Sequence, residues 1–203
     1  MDQRTDEWFS ARCGKATGSR IADAVARTKS GWGASRANYM AQLIAERLTG
    51  KVADSYTSGA MQWGIETEPQ AIEAYEALTL SVVEPVGFVD HHCIDMAGAS
   101  PDGLVGDDGL VEIKCPNTAT HIDALLGCAI PAKYLTQMQW QMACTKRHWC
   151  DYVSFDPRMP PNLQIRIERV ERDNHRIAEL EQMVIGFLDE VASKVEALRK
   201  VAA

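Results

Sequence analysis

No two of the six cysteines (13, 93, 115, 128, 144 and 150) stand as Cys-x-x-Cys. Without that spacing a zinc site or an iron–sulfur cluster is disfavoured, and reduced, mostly buried thiols are expected instead. The chain also lacks any apolar run long enough to span a bilayer, any repeat and any low-complexity tract. Its opening Met-Asp-Gln-Arg is not a secretory signal, so a cytoplasmic location and no membrane partner are expected. Positive charge is scarce as well: 21 Lys and Arg stand against 28 Asp and Glu, a net charge of −7. That balance argues against a protein that coats DNA with a basic surface. It leaves room for a nuclease, because acids at a metal site add negative charge while basic residues line a local channel. At 203 residues, one domain spanning 1–203 is expected, long enough to bury a sizeable core.

What is present centres on Ser100-Pro101-Asp102-Gly103 through Leu110-Val111-Glu112-Ile113-Lys114. An extended segment ends at Ser100, since the residue before a proline is driven out of helical geometry. Asp107-Asp108-Gly109 supplies a turn, and Leu110–Cys115 is apolar enough to be a half-buried strand. Side chains alternate along a strand, so Glu112 and Lys114 share one face and Val111, Ile113 and Cys115 the other. Asp102, set at the corner before the hairpin, joins them. Asp-Gly turns are common and a Glu-x-Lys strand is usually a solvated face. Here, however, the charges are interleaved with strong β-formers. Two carboxylates at one point suit a hard cation such as Mg2+ or Mn2+, and a neighbouring lysine can orient a water or take its proton. That equipment fits phosphodiester hydrolysis.

Other segments follow their periodicity. Asp6–Arg12 reads as a helix with acids at its N-terminus, and Ser19 as the N-cap of a second helix over 20–26. Residues 27–36 look like a glycine-rich basic loop in which Arg27 and Lys29 are candidate phosphate contacts, before a helix over 37–48. A helix over 58–79 places Ile65, Glu68, Ile72, Tyr75 and Thr79 on one stripe, so Glu68 sits on an otherwise buried face and needs a partner. Strands are expected over 82–90, 94–99, 149–155 and 163–170, and helices over 118–126 and 131–146. His91-His92 carries no ligand spacing with another His or Cys and reads as solvated or hydrogen-bonded. A long final helix over 173–200 has apolar residues at 177, 180, 184, 187, 191, 195 and 198. The order predicts an α/β (α+β) fold, a central mixed β-sheet flanked by helices.

SPDGLV followed by LVEIKCP resembles the PD-(D/E)XK nuclease signature, and in detail the bacteriophage lambda exonuclease and YqaJ-type viral recombinase family, with Asp102, Glu112 and Lys114 on the signature positions. Trp8…Arg12-x-Gly14-x-x-Thr17-Gly18-Ser19 is similar to that family's opening, Trp63-Gly64-x-x-x-Glu68 to its helix carrying a third acid, and Gln137-x-Gln139 and Asp156-Pro157-Arg158-Met159 to later strings. The resemblance implies a restriction-endonuclease-like core and a 5′→3′ exonuclease acting on double-stranded DNA ends. One or two Mg2+ would be held by Asp102, Glu112, Glu68 and the Ile113 carbonyl. It further implies that Arg12 and Ser19, with Ser100, hold a 5′ phosphate, that Gln137 lies beside the active site, and that Met61 is an apolar wedge between the strands. A homotrimer ring and a single-strand annealing protein as partner come with it. A restriction-type endonuclease on the same core, or a DNA-end-binding module without catalysis, are the alternatives.

Overall fold

The computed structural model describes residues 1–29, 31–52 and 58–201. Helix α1 (Asp6–Arg12) starts as its sequence dictates, with Thr5 Oγ1 accepting from the Trp8 N–H and two acids in the first turn. Strand β1 (Ala16–Thr17) leads through a 3-10 turn at Gly18–Arg20 into the short helix α2 (Ile21–Ala24). Ser19 lies inside that turn, exposed, and is not the N-cap expected of it, because the turn satisfies its own amides: the Ile21 N–H bonds to the Gly18 carbonyl. The stretch expected as a loop pairs as a small hairpin, β2 (Arg27–Thr28) with β3 (Gly31–Trp32), and α3 (Ala34–Thr49) follows at once. Ser30 falls outside the described residues. Helix α3 stops at Gly50, which takes the left-handed conformation that glycine adopts without steric penalty.

Helix α4 (Gly59–Thr79) is capped by Ser58 Oγ. The strand expected over 82–90 is instead two short ones, β4 (Val83–Glu84) and β5 (Val89–Asp90), split where Pro85 has no N–H to give a ladder. Then come β6 (Ala97–Ala99), β7 (Gly103–Val105), β8 (Gly109–Lys114), α5 (Thr118–Leu125), α6 (Ala132–Thr145), β9 (Trp149–Phe155), β10 (Ile165–Glu171) and α7 (Asn174–Val201). The main sheet has the order β10-β9-β8-β7-β4, with β8 parallel to β9 and the other neighbours antiparallel. A second sheet, β1-β6-β5, pairs β1 parallel to β6, so that Thr17 stands opposite Gly98. Mixed sheets flanked by helices are thus what the pattern predicts. No helix among the described residues is long and apolar enough to cross a membrane.

Strand β8 is covered on both faces rather than half-buried. Leu110 packs with Met138 and Met142 of α6, while Val111 and Ile113 pack with Ala71 and Tyr75 of α4. The two helices therefore clamp the strand that bears Glu112 and Lys114. Helix α7 buries 177, 180, 184, 187, 191 and 195 against α3 and α6, but Leu198 is 45 % exposed. A straight helix drifts about 20° per heptad, which carries a near-heptad stripe off the contact by its third repeat. Cysteines are less buried than expected: Cys144 and Cys150 are enclosed, Cys13 and Cys115 partly so, and Cys93 and Cys128 exposed.

The start of β8 tolerates no side chain. A Cβ on Gly109 would stand 2.1 Å from the Trp149 indole. That ring cannot retreat, because the Arg169 guanidinium covers it at 3.5 Å and is itself forked onto Asp151 at 2.8 and 2.9 Å. Gly109→Ala is expected to destabilise the fold by roughly 1–3 kcal/mol, the usual cost of overpacking. A thermal melt that matches the parent would overturn this.

Candidate active site

The hairpin β7–β8 and the chain just before it bring Asp102, Glu112, Ile113 and Lys114 together. Glu112 has no exposed surface. A lone carboxylate in that position costs several kcal/mol, so its oxygens must be bonded. Gln137 Nε2 donates to Oε1 at 2.7 Å and Gln141 Nε2 to Oε2 at 2.6 Å, while Lys114 Nζ makes a short contact with Oε1. Both main-chain groups of Ile113 turn to the site: its N–H donates to Asp102 Oδ2 at 2.6 Å, and its carbonyl accepts from Lys114 Nζ at 3.1 Å.

The charges decide protonation. Burial works against the Lys114 ammonium, but Glu112 and Asp102 outweigh it and hold the pKa above the ordinary lysine value. Asp102 keeps partial exposure by area yet lies deep among protein atoms. That burial, then the charge of Glu112, pushes its carboxyl up to about 8 despite Lys114 and the Ile113 N–H. Lys114 is therefore a cation that orients, not a free base. Asp102 retains a proton that an arriving cation would displace.

Glu68 lies at the edge of the buried face of α4, not on it. The enclosed stripe is Thr67, Ala71 and Tyr75, one position away from the one expected, and Glu68 is 26 % exposed. Its Oε2 is taken by Arg4 Nη2 at 2.8 Å. Arg4 is brought there by the N-terminal segment, which Gln3 straps down by donating Nε2 to the carbonyls of Val86 and Pro101 at 2.9 and 2.7 Å. Paired this way, Glu68 is committed to Arg4 rather than left open to an ion.

Two residues before Asp102, Ser100 Oγ accepts from Trp8 Nε1 at 2.9 Å and from Arg12 Nη1 at 3.2 Å. The Arg12 guanidinium lies 3.9 Å over the Trp8 ring, and burial lowers its pKa from the ordinary value. Ser19 follows β1 as Ser100 follows β6. The parallel pairing of those strands delivers both serines to the same edge of the small sheet. Arg27 and Lys29 are exposed on the β2–β3 hairpin, Arg27 lying 4.5 Å from the centre of the Trp32 ring. Met61 is 52 % exposed in the first turn of α4, so it is no core residue. Arg158 of the Asp-Pro-Arg-Met string forks onto Asp156 and lies 4.5 Å over Trp63, tying the end of β9 to that same turn.

Gln141 and Arg4 are the members that the sequence reading leaves out, and Trp8 enters it only as part of the opening string. For Gln141 a signal exists: it falls four residues after Gln137 on the same helix face. It is 1 % exposed, and its Oε1 has no partner. Arg4 has no such signal, since its contact spans the chain from residue 4 to residue 68.

Residues 7–148 match the YqaJ-like viral recombinase domain. The chain is 51 % identical to LHK-Exo, an alkaline exonuclease from Laribacter hongkongensis, over 98 % of both chains with a TM-score of 0.91. A structure of that enzyme in complex with dAMP superimposes with the same score. A phage-related exonuclease from Haemophilus somnus 129PT shares the fold at 18 % identity, with a TM-score of 0.69 over 89 % of this chain and 96 % of its own. No curated protein matches.

Proposed function

The chain belongs to the YqaJ-like viral recombinase family, and on that premise we propose that it is a metal-dependent deoxyribonuclease digesting one strand of linear duplex DNA. In this reading digestion runs 5′→3′ from a phosphorylated end and leaves a 3′ overhang for annealing recombination. The observation that carries the reading is the position of Ser100. It takes bonds from Arg12 and Trp8 and stands two residues before Asp102. In this reading the group that holds the end adjoins the acid–lysine hairpin.

The donor set fits a hard cation. Carboxylates and a carbonyl are its oxygen ligands, and the Asp102 carboxyl, raised first by burial and then by the Glu112 charge, stands to gain from an arriving cation. Asp102, Glu112, the Ile113 carbonyl and Glu68, once released from Arg4, would hold Mg2+, or Mn2+, as one ion or two. Such an ion supplies Lewis-acid stabilisation of the phosphoryl oxygens and a water of lowered pKa. Lys114 keeps its proton, orients the attacking water and stabilises negative charge developing on the phosphate. Gln137 and Gln141 fix the Glu112 carboxylate. Arg12, Ser100 and Ser19 bind the 5′ phosphate, whose charge offsets the buried guanidinium. Arg27, Lys29 and Met61 contact DNA further out, Met61 as the wedge. A homotrimer ring around the duplex and a single-strand annealing partner complete the family picture.

Gln141→Leu removes one of the donors on Glu112 with little change of volume. We expect it to raise the Mg2+ concentration for half-maximal binding roughly 10-fold, the lower end of losses when a metal ligand's supporting bond is cut. Calorimetric titration of Mg2+ into parent and variant would read this directly.

The test of the function is a linear duplex with one 5′-phosphate and one 5′-hydroxyl end, beside a closed circle, in Mg2+. Loss of nucleotides from the phosphorylated end, with the circle intact, is the expected result. A nicked or cut circle would favour an endonuclease. Equal binding of ends in Mg2+ and EDTA with no nucleotide released would favour a binding module.

A further inference from the structure

At the opposite end of β6 from Ser100, residues 91–96 join β5 to β6 in a tight connection closed by the His91 N–H on the Ala97 carbonyl at 2.9 Å. His91 is not solvated here. Its side chain has no exposed surface and is sandwiched between the rings of Trp140, at 5.0 Å, and His92, at 4.8 Å. The stacking fixes the ring plane and so decides where each nitrogen points. Nε2 faces Glu181 of α7, 3.3 Å from Oε1 but off the hydrogen-bond line, and remains a buried polar atom without a partner. Nδ1 faces Cys93, 3.4 Å from its N–H and 3.8 Å from Sγ. Donor atoms of His91, His92 and Cys93 all lie within 4.8 Å of one another.

The separation of His91 Nδ1 from Cys93 Sγ is close to that of a ligand pair. An imidazole nitrogen and a thiolate on one tetrahedral zinc, at about 2.05 and 2.3 Å, stand about 3.6 Å apart. A carboxylate beside the far nitrogen is the usual support for a ligating histidine. With the N–H on Nε2, toward Glu181, Nδ1 keeps its lone pair, which here accepts the Cys93 N–H at 3.4 Å and would exchange that long bond for the ion. Burial, reinforced by the neighbouring His92, lowers the His91 pKa, which keeps the ring in its neutral, ligating form. His92 and Cys93 are exposed, so an ion can enter from solvent and water can complete the coordination.

We propose that this turn is a second metal site, in which His91 Nδ1 and the Cys93 thiolate, joined by His92 once its exposed ring turns off the stack, bind one borderline ion of the zinc class. Thiolate and imidazole select such an ion against Mg2+, whereas the oxygen donors of the β7–β8 hairpin select the reverse. Binding forms the metal–sulfur bond and releases the thiol proton of Cys93 to solvent. The ion would clip the β5–β6 turn from outside while Glu181 and Trp140 hold it from within.

Co2+ is the probe, because a thiolate ligand gives it a charge-transfer band that oxygen ligands do not. It is titrated into chelator-treated protein in excess Mg2+, which occupies the hairpin. We expect a single equivalent to be taken up with that band, zinc to displace it, Cys93→Ser to abolish it and His92→Ala to weaken uptake roughly tenfold. Glu112→Gln should leave it unchanged. The proposal falls if no band appears, if the band survives Cys93→Ser, or if Glu112→Gln removes it.

Discussion

Lys114→Ala protein is expected to bind phosphorylated duplex ends as the parent does and to release nucleotides about 10²–10⁴-fold more slowly. The Lys114 ammonium bridges Glu112 Oε1 and the Ile113 carbonyl, two of the proposed cation ligands, and is held protonated by Glu112 and Asp102. Its loss removes both the group that orients the water and a positive charge at the developing phosphorane oxygens. The proposed end-holding contacts of Arg12, Trp8 and Ser100 do not involve it, so the defect belongs in kcat and not in KM. Single-turnover digestion at saturating Mg2+ separates the two. Lys114→Arg is expected to rescue little, since a planar guanidinium cannot reproduce the compact contact with Glu112. A variant that digests DNA at the parent's rate would remove Lys114 from the mechanism.

Cation binding is expected to tighten steeply with pH. Burial and the Glu112 charge push the Asp102 carboxyl up to about 8, against about 3.9 for an unfolded aspartate. With the folded value raised, this group's contribution to metal-free stability is fully present below about pH 4 and is lost as pH rises through about 8. A cation that takes Asp102 must expel its proton. Apparent affinity should therefore climb about tenfold per pH unit below about 8 and level off above it. Calorimetric Mg2+ titrations from about pH 6 to about pH 9 in two buffers of different ionisation enthalpy would show both the slope and the released proton. Asp102→Asn should abolish the slope. Affinity that does not change with pH would mean that Asp102 is already ionised and is not the titrating ligand.

The hairpin was legible because strand alternation is a strict rule. Once Leu110–Lys114 reads as a strand, Glu112 and Lys114 must share a face, and they do. The long final helix and the Gln137 contact follow from periodicity and from resemblance. Where reading failed, a contact distant in sequence had the casting vote. Ser19 carries a capping side chain, but the 3-10 turn before α2 spends its amides on backbone carbonyls. The 27–36 stretch has loop composition, yet Trp32 stacks with Arg27 and with Arg36, which is forked onto Glu190 of α7, and the pairing becomes a hairpin. On α4, stripes one residue apart fit the pattern almost equally well. Which one faces inward is set by β8 and β9, and Glu68 moves to the rim. Arg4 and the buried face of His91 depend wholly on such distant partners.

Under the proposed function the spacing from Ser100 to Asp102 sets a step length. The Cα atoms of Ser100 and Asp102, two residues apart on one chain, lie about 7 Å apart at most, comparable with the distance between neighbouring phosphates on a strand. Under the proposed chemistry a terminus anchored at Ser100 offers only its first internal bond to the hairpin. On that reading the chain acts as a ruler, and the expected product is the single nucleotide. Release of longer fragments would require the Arg12–Trp8–Ser100 pocket to slide along the sheet, and the parallel ladder from Ala16 and Thr17 to Ala97 and Gly98 anchors it in register.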